Sequence, residues 1–528
     1  MKINKTPDAI WQEYLDGVGF NQQIGLYETV KRNNDFYHDR QWEGVNAPNL
    51  PKPIINIIKP AVNYYIAQLV SDDIGVNLEC KNLPEVEAGY INEVVTKELL
   101  NILEKTNAAM KHRQLLRNMA VDGDMVLYSY FDPLPRMGDN TLGQIQTEIV
   151  YNTDIFFGNP MEGDVQKQPY LMIKQRRLLQ SVREEAKKNG CKPEDILSDQ
   201  DIYGRVDDPT GEKRYVTVLI KFWKENQQVH YCKTTQNAWV KKETNLEYSL
   251  YPIAYASWER ARYSYHGISP ITGKIQNQIT INKIYAMAAI YTQNMAFPKV
   301  IYDRQKLREG WNNDPTKAIA VNGNPNEAIF NTFRPADMGN QVQSLLKQLL
   351  QDTKESMGVF DAALGNVKPD NTSAIIATQK AASAPLDLQR LDFYQFVEDC
   401  VRIWLDMMAT DYGIRQVILE SDVNQPMQQA ATFDFRVLQQ AQYQLAIDIG
   451  ASSYWSELMQ VQTLDNLMNL HIIPDALTYL ENVPDGYIKG KQNIIRRIEE
   501  LQQQQQMQQQ MQANQAIIQA AQENQPMG

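Results

Sequence analysis

Basic charge is what this sequence has least of: 52 lysines and arginines face 63 aspartates and glutamates, for a formal net charge of −11. No continuous cationic surface for wrapping phosphates is expected, and neither is tight static DNA binding. An acidic wall with few cationic contacts still suits a polymer that must slide past it, because it adheres little. Cysteine is scarce too. Cys80, Cys191, Cys232 and Cys400 lie far apart, with no C-x-x-C pair and no histidine cluster beside them. A structural zinc site is therefore not expected, and four buried free thiols are. No stretch holds the roughly eighteen apolar residues of a membrane span. The opening residues, which include Asp8, Glu13 and Asp16, carry no apolar leader segment. Synthesis and assembly in a cytoplasm, without a membrane partner, are the expectation.

Catalytic signatures are missing as well. The nearest fragment to a phosphate-binding loop, Gly486 to Lys491, has the wrong spacing and no strand before it. There is no H-E-x-x-H pair, no G-x-S-x-G elbow and no dinucleotide fingerprint. His38, His112, His230, His266 and His471 occur singly, which favours structural roles. The acidic pairs Asp72–Asp73 and Asp207–Asp208 read as solvated turns before they read as cation ligands. No enzyme, cofactor or metal is expected. A metal-dependent DNA-processing enzyme is the weakest alternative, since converging carboxylates cannot be read from one sequence.

What the chain does have is apolar residues in structured patterns. At 43% hydrophobic over 528 residues it can bury more than one core, and three or four sections are expected. To about residue 120 the pattern is helical, broken between Val45 and Pro53; Ile54, Ile57, Ile58, Ala61 and Tyr65 then recur at helical spacing. Leu99 to Met119 reads as one helix. From Asp122 the period changes to two, with Val126, Tyr128 and Tyr130 opposite Met125, Leu127 and Ser129. Gln144 to Phe157 and Tyr215 to Trp223 behave alike, and a charged helix over Leu178 to Asn189 stops at Gly190. The class is α+β.

At Gly267 a long helix is announced, with Ser269 as its cap and Pro270 in its first turn. Its apolar face carries Ile271, Ile275, Ile279, Ile284, Ala288, Tyr291 and Met295, with Lys274, Asn277, Gln278 and Asn282 on other faces. Pro298 ends it. Short strands around Phe297 to Asp303, Ala318 to Val321 and Ala328 to Asn331 form a small α/β insertion. A second helix from about Asn340 to Gly358 presents Val342, Leu345, Leu346, Leu349, Leu350 and Met357 on one side. Residues 359–372 form a polar loop. A helix from Ser373, kinked at Pro385, buries Phe393, Val397, Cys400, Val401, Trp404 and Met408. Strands, a helical section with Trp455 and Leu458, and a glutamine-rich tail from Gln502, either disordered or a polar helix, complete the chain.

This order resembles the portal proteins of tailed bacteriophages. Asp35, Phe36, Tyr37, Arg40, Gln41 and Trp42 are similar to an aromatic and Gln-Trp signature of podovirus-type portals; on their own terms they are an aromatic anchor of a helix end. Tyr265, His266, Gly267, Ile268, Ser269 and Pro270, with Gln278, Ile281 and Asn282, resemble the beginning of a portal stem helix. Thr372, Ser373, Ala374 and Ile375 resemble the beginning of the helix after the tunnel loop. The resemblance implies a wing (1–266, with a long kinked helix over 373–412 and strands over 413–450), a two-helix stem (267–296 and 340–358) and a clip (297–339). It also implies a tunnel loop (359–372), a helical crown (451–500) and a tail (501–528). The tail is too short for the long helical barrel of the largest portals.

The implied function is a dodecameric ring at one capsid vertex, the channel for DNA packaging and ejection. Stem packing would use Ile271, Ile275, Ile279, Leu345, Leu346 and Leu349; the tunnel loop would touch double-stranded DNA transiently through Asn366, Lys368 and Asn371. Arg304, Lys306, Arg308, Trp311 and Lys317 in the clip would dock terminase or a head-to-tail adaptor. Capsid and scaffolding proteins are further implied partners, in a virion assembled in the host cytoplasm. The other open reading is a different structural capsid or tail-adaptor protein.

Overall fold

The computed structural model describes residues 3–48, 50–70, 74–80, 85–133, 143–201, 214–296, 299–307, 320–324, 326, 329–333, 340–359, 384–419, 429–439 and 443–449. Beyond these it describes 461, 463–468, 476–483, 494–495 and 497–498. It is α+β, as expected. The chain divides into two compact units, the first holding 1–70 and 76–447 and the second 71–75 and 448–528.

The first unit begins with helices α1 (Pro7–Gln23), α2 (Leu26–Tyr37) and α3 (Ile58–Leu69), then strand β1 (Ile74–Cys80), α4 (Glu85–Lys105) and α5 (Ala108–Asp122). The single helix expected over Leu99 to Met119 is two. Asn107 adopts a left-handed backbone, φ 53°, and Thr106 turns its hydroxyl back onto the Ile102 carbonyl at 2.7 Å. Asn is among the few residues that tolerate this conformation, so a short polar side chain broke a pattern that hydrophobic spacing alone carried through.

Next come β2 (Asp124–Asp132), β3 (Gln144–Val150), β4 (Ile155–Phe157), β5 (Tyr170–Leu178), α6 (Leu179–Lys188), β6 (Tyr215–Glu225), β7 (Gln228–Thr234), β8 (Trp239–Asn245) and β9 (Ile253–Ser257). They form two antiparallel sheets, a three-stranded one in the order β3-β2-β9 and a five-stranded meander β4-β5-β6-β7-β8. Both faces of the meander are covered. Val216 and Val218 point to α6, where Val182 and Ala186 meet them. Leu219 and Trp223 point to α1, where they join Ile10, Tyr14 and Phe156. Between these, the fully buried Lys221 ammonium reaches Glu13 at 2.5 Å and the Asn4 carbonyl at 3.0 Å, so its charge is paired. Cys232 and Cys400 are buried free thiols; Cys191 is only half-buried, beside the exposed end of α6.

The remaining elements are α7 (Ile275–Ala296), β10 (Lys299–Tyr302), β11 (Ile329–Phe333), α8 (Asn340–Ser356), α9 (Asp387–Met407), β12 (Ile414–Leu419), β13 (Gln429–Asp434) and β14 (Tyr443–Ile449). β10 pairs antiparallel with β11, and β12 with β13. Pro385 sits in a 3₁₀ turn, Ala384–Leu386, immediately before α9, where a missing amide donor costs nothing. The expected beginning of that helix at Ser373 lies outside the described residues. α9 buries Phe393, Phe396, Val397, Cys400, Val401 and Trp404, and the Trp404 indole donates to Ser129 Oγ on β2 at 3.0 Å. In the second unit residues 463–468 are helical and α10 spans Ala476–Asn482, with Tyr479 donating to Asp465 at 2.5 Å. No described helix is long and apolar enough to cross a membrane.

Candidate functional site: the root of the paired helices

Helices α7 and α8 leave the mixed body together, and the polar cluster at their root fixes where they point. The chain reaches α7 through Tyr265 to Pro270, and every residue from Tyr265 to Ser269 makes a contact that the sequence alone does not reveal, Ile268 through its amide to the Glu259 carbonyl at 2.9 Å. Tyr265 stacks on Phe157 with ring centroids 4.2 Å apart and donates to the Ile155 carbonyl at 3.0 Å. His266 is buried, with Nδ1 2.9 Å from Asp124 and Nε2 3.1 Å from Asn21. Gly267 donates its amide to Asp124 at 2.7 Å. Ser269 donates to the Ala120 carbonyl at 2.7 Å and accepts from the Ile271 amide at 3.3 Å.

Asp124 is the hub. Besides His266 and Gly267 it accepts from Tyr255 at 2.7 Å and Asn152 at 3.1 Å, enough donors to hold a carboxylate with 2% exposure. Burial and the neighbouring Asp124 carboxylate raise the pKa of both Tyr255 and Tyr265, which keeps the two hydroxyls protonated as donors. Above Asp124 two backbones touch. A Cβ on Gly123, whose φ is +101°, would stand 2.6 Å from the Gly267 carbonyl, and one on Gly267 would stand 2.7 Å from the Gly123 carbonyl. Only glycine fits at this crossing.

Within α7 the structure corrects the expected faces. After a 3₁₀ turn at Thr272–Lys274 the helix begins at Ile275; Ser269, expected as its cap, instead accepts from the Ile271 amide ahead of that turn. Ile271 and Ile275 are buried by their own chain, and so are Gln278 and Asn282, which the sequence places on polar faces. The reason is the irregular segment 54–57, which belongs to no strand. Gln278 accepts from the Ile57 amide at 3.0 Å and donates to the Ile55 carbonyl at 2.7 Å. Asn282 accepts from Gln278 at 3.1 Å and donates to Gln41 at 2.6 Å. A helix face thus serves as a strand partner, and the Gln41 of the aromatic signature belongs to it. Gln278→Ala leaves a buried amide unpaired and is expected to cost about 2 kcal/mol. Gln276→Ala, one turn position away and exposed, should cost under about 0.5 kcal/mol in the same denaturant titration.

Beyond the root the pair is bare. Asn277 donates to Thr353 on α8 at 3.1 Å, and Tyr65 to the Met357 carbonyl at 2.5 Å. Further out Met287, Ile301 and Leu345 are 56%, 53% and 56% exposed, and Ile279, Leu346 and Leu349 are half-covered. Arg304 is exposed and Lys306 half-buried in the turn after β10; Arg308, Trp311 and Lys317 lie outside the described residues, as do Asn366, Lys368 and Asn371. One cluster went unread: Glu225, His230 and Glu243 converge on three adjacent strands. The Lys5 ammonium stands among them, 2.8 Å from Glu225 and 2.9 Å from Glu243, where a cation would sit.

A scan against protein families matches residues 174–527 to the phage P22-like portal protein family. The match spans more than half of the chain, including α7, α8 and α9: this protein belongs to the phage P22-like portal family. No curated protein matches it. The aromatic signature at Asp35 to Trp42 precedes the matched region.

Proposed function

We propose that copies of this chain close into a dodecameric ring that conducts DNA at one capsid vertex. The observation that carries the reading, beside family membership, is the bare outer half of the α7–α8 pair on a root locked by buried polar contacts. A single chain leaves Met287, Ile301 and Leu345 in water, and a heterologous contact repeated around an axis would cover them. Ile271 and Ile275 are already covered within the subunit, so packing between copies falls to Ile279, Leu345, Leu346 and Leu349, with Met287 added.

On this reading the chain converts no substrate. Residues 267–296 and 340–358 form the stem, 297–339 the clip, 359–372 the tunnel loop and 451–500 the crown. Terminase or a head-to-tail adaptor docks on the clip through Arg304, Lys306, Arg308, Trp311 and Lys317. Lys368 meets passing phosphates between Asn366 and Asn371, and a single cation of that kind cannot hold them. Capsid and scaffolding proteins surround the wing, and assembly precedes packaging in the host cytoplasm. Negative-stain images of purified protein test the reading: rings with a central hole are expected, whereas monomers under every assembly condition would refute it.

A further inference from the structure

Between β9 and the root of α7 the chain makes a short finger. A bridge between Arg260 and Gly267 closes it, the Ile268 amide donates to the Glu259 carbonyl at 2.9 Å, and buried Tyr265 and His266 hold its base. At its tip Tyr263 is 66% exposed and has φ +63°, a backbone that a bulky side chain rarely adopts. Arg262 lies over the Tyr263 ring, 4.9 Å from its centroid, and Arg260 is exposed beside it. Neither guanidinium pairs with a carboxylate of a described residue, in a chain whose acids outnumber its bases.

We propose that this finger is a contact for the phosphate backbone of double-stranded DNA, a reading that rests on the portal function and adds a second cationic point to it. Two arginines, two residues apart, offer planar forks of donors to successive phosphates, and the ring held under Arg262 orders one of them in advance. Tyr263 keeps a costly left-handed backbone although two thirds of its side chain faces solvent, and such outliers persist where a partner uses them. A protein partner is the poorer fit. Across residues 259–268 Tyr263 and Ile268 are the large exposed apolar side chains, too little for the apolar centre of a protein interface. Two cations per copy also give weak, salt-sensitive adhesion, which lets a duplex move.

The test is binding of a fluorescent duplex of random sequence to the full-length assembled protein across a salt series. Arg260→Gln with Arg262→Gln should weaken binding about tenfold at low salt and reduce the slope of log K against log salt by about 2 per engaged finger. Tyr263→Gly should raise Tm, since glycine adopts the left-handed backbone freely, yet weaken duplex binding without changing the salt slope. Unchanged affinity and slope in the double arginine variant would overturn the proposal. So would lost assembly with unchanged affinity per chain, which would make the finger a contact between copies. Wild-type particles without a central hole would instead count against the portal reading, and the salt slope would still report on the finger.

Discussion

Gly123→Ala is expected to destabilise the protein by about 2–5 kcal/mol. Two costs add. The left-handed backbone at Gly123 penalises a side chain by about 1–2 kcal/mol. The added carbon would also stand 2.6 Å from the Gly267 carbonyl, and relieving that overlap means moving backbone at the root of α7, which costs about 1–3 kcal/mol. Gly25→Ala separates the terms. Gly25 is left-handed too, φ +69°, but nothing lies within 4 Å of the carbon it would gain. It should lose only the backbone part. Denaturant midpoints of the two variants measure the difference, and equal losses would show that the Gly123–Gly267 crossing is not tight. Because the crossing lies at the root of α7, Gly123→Ala should also disturb the proposed ring assembly more than its stability loss predicts.

The second large effect is on pH dependence. Two buried groups on α5 respond in opposite directions. Burial pushes the Asp122 carboxyl up to about 6, with the nearby Asp124 adding to it while Asn34 and Arg117 oppose it. The native state therefore binds a proton that the unfolded chain has released, and Asp122 costs stability as pH rises through 6. Burial alone pushes His112 down to about 4, and its Nδ1 has no hydrogen-bond partner. There the unfolded chain takes up the proton first, so stability is lost as pH falls from the ordinary histidine range toward 4. Each group accounts for up to about 3 kcal/mol at its unfavourable end. Asp122→Asn keeps the acceptor that Asn34 uses at 2.6 Å and should stabilise the protein at pH 7.5, a gain that vanishes toward pH 4. His112→Leu should show the reverse, nearly neutral at pH 7.5 and stabilising near pH 4.5. Parallel stability curves for wild type and both variants would contradict the assignment.

The helices α6 to α9 and the strands β2, β3, β4 and β6 were legible because they rest on periodicity, which tertiary context seldom reverses over long segments, whereas β5, β7, β8 and β9 were not read. The break at Asn107 was not, since one left-handed residue leaves no trace in hydrophobic spacing. Nor were the roles of Gln278 and Asn282. A polar residue on a helix reads as solvent-facing unless something across from it needs a donor and an acceptor, and that something is a backbone more than two hundred residues earlier in the chain. The signature from Tyr265 to Pro270 was visible as a string, but its meaning depended on Asp124, which in sequence is only an acid after a glycine.

What the sequence by itself determined is the alternation of helical and strand periods, the acidic balance, the absence of a catalytic motif and the turn chemistry that opens α7. These follow from local geometry and composition, which are properties of neighbouring residues. Tertiary structure alone decided which half of α7 is covered, which carboxylates lie buried together and which arginines stand exposed on a finger. Those depend on what lies opposite a side chain in space, and burial, unlike periodicity, is set by the whole fold.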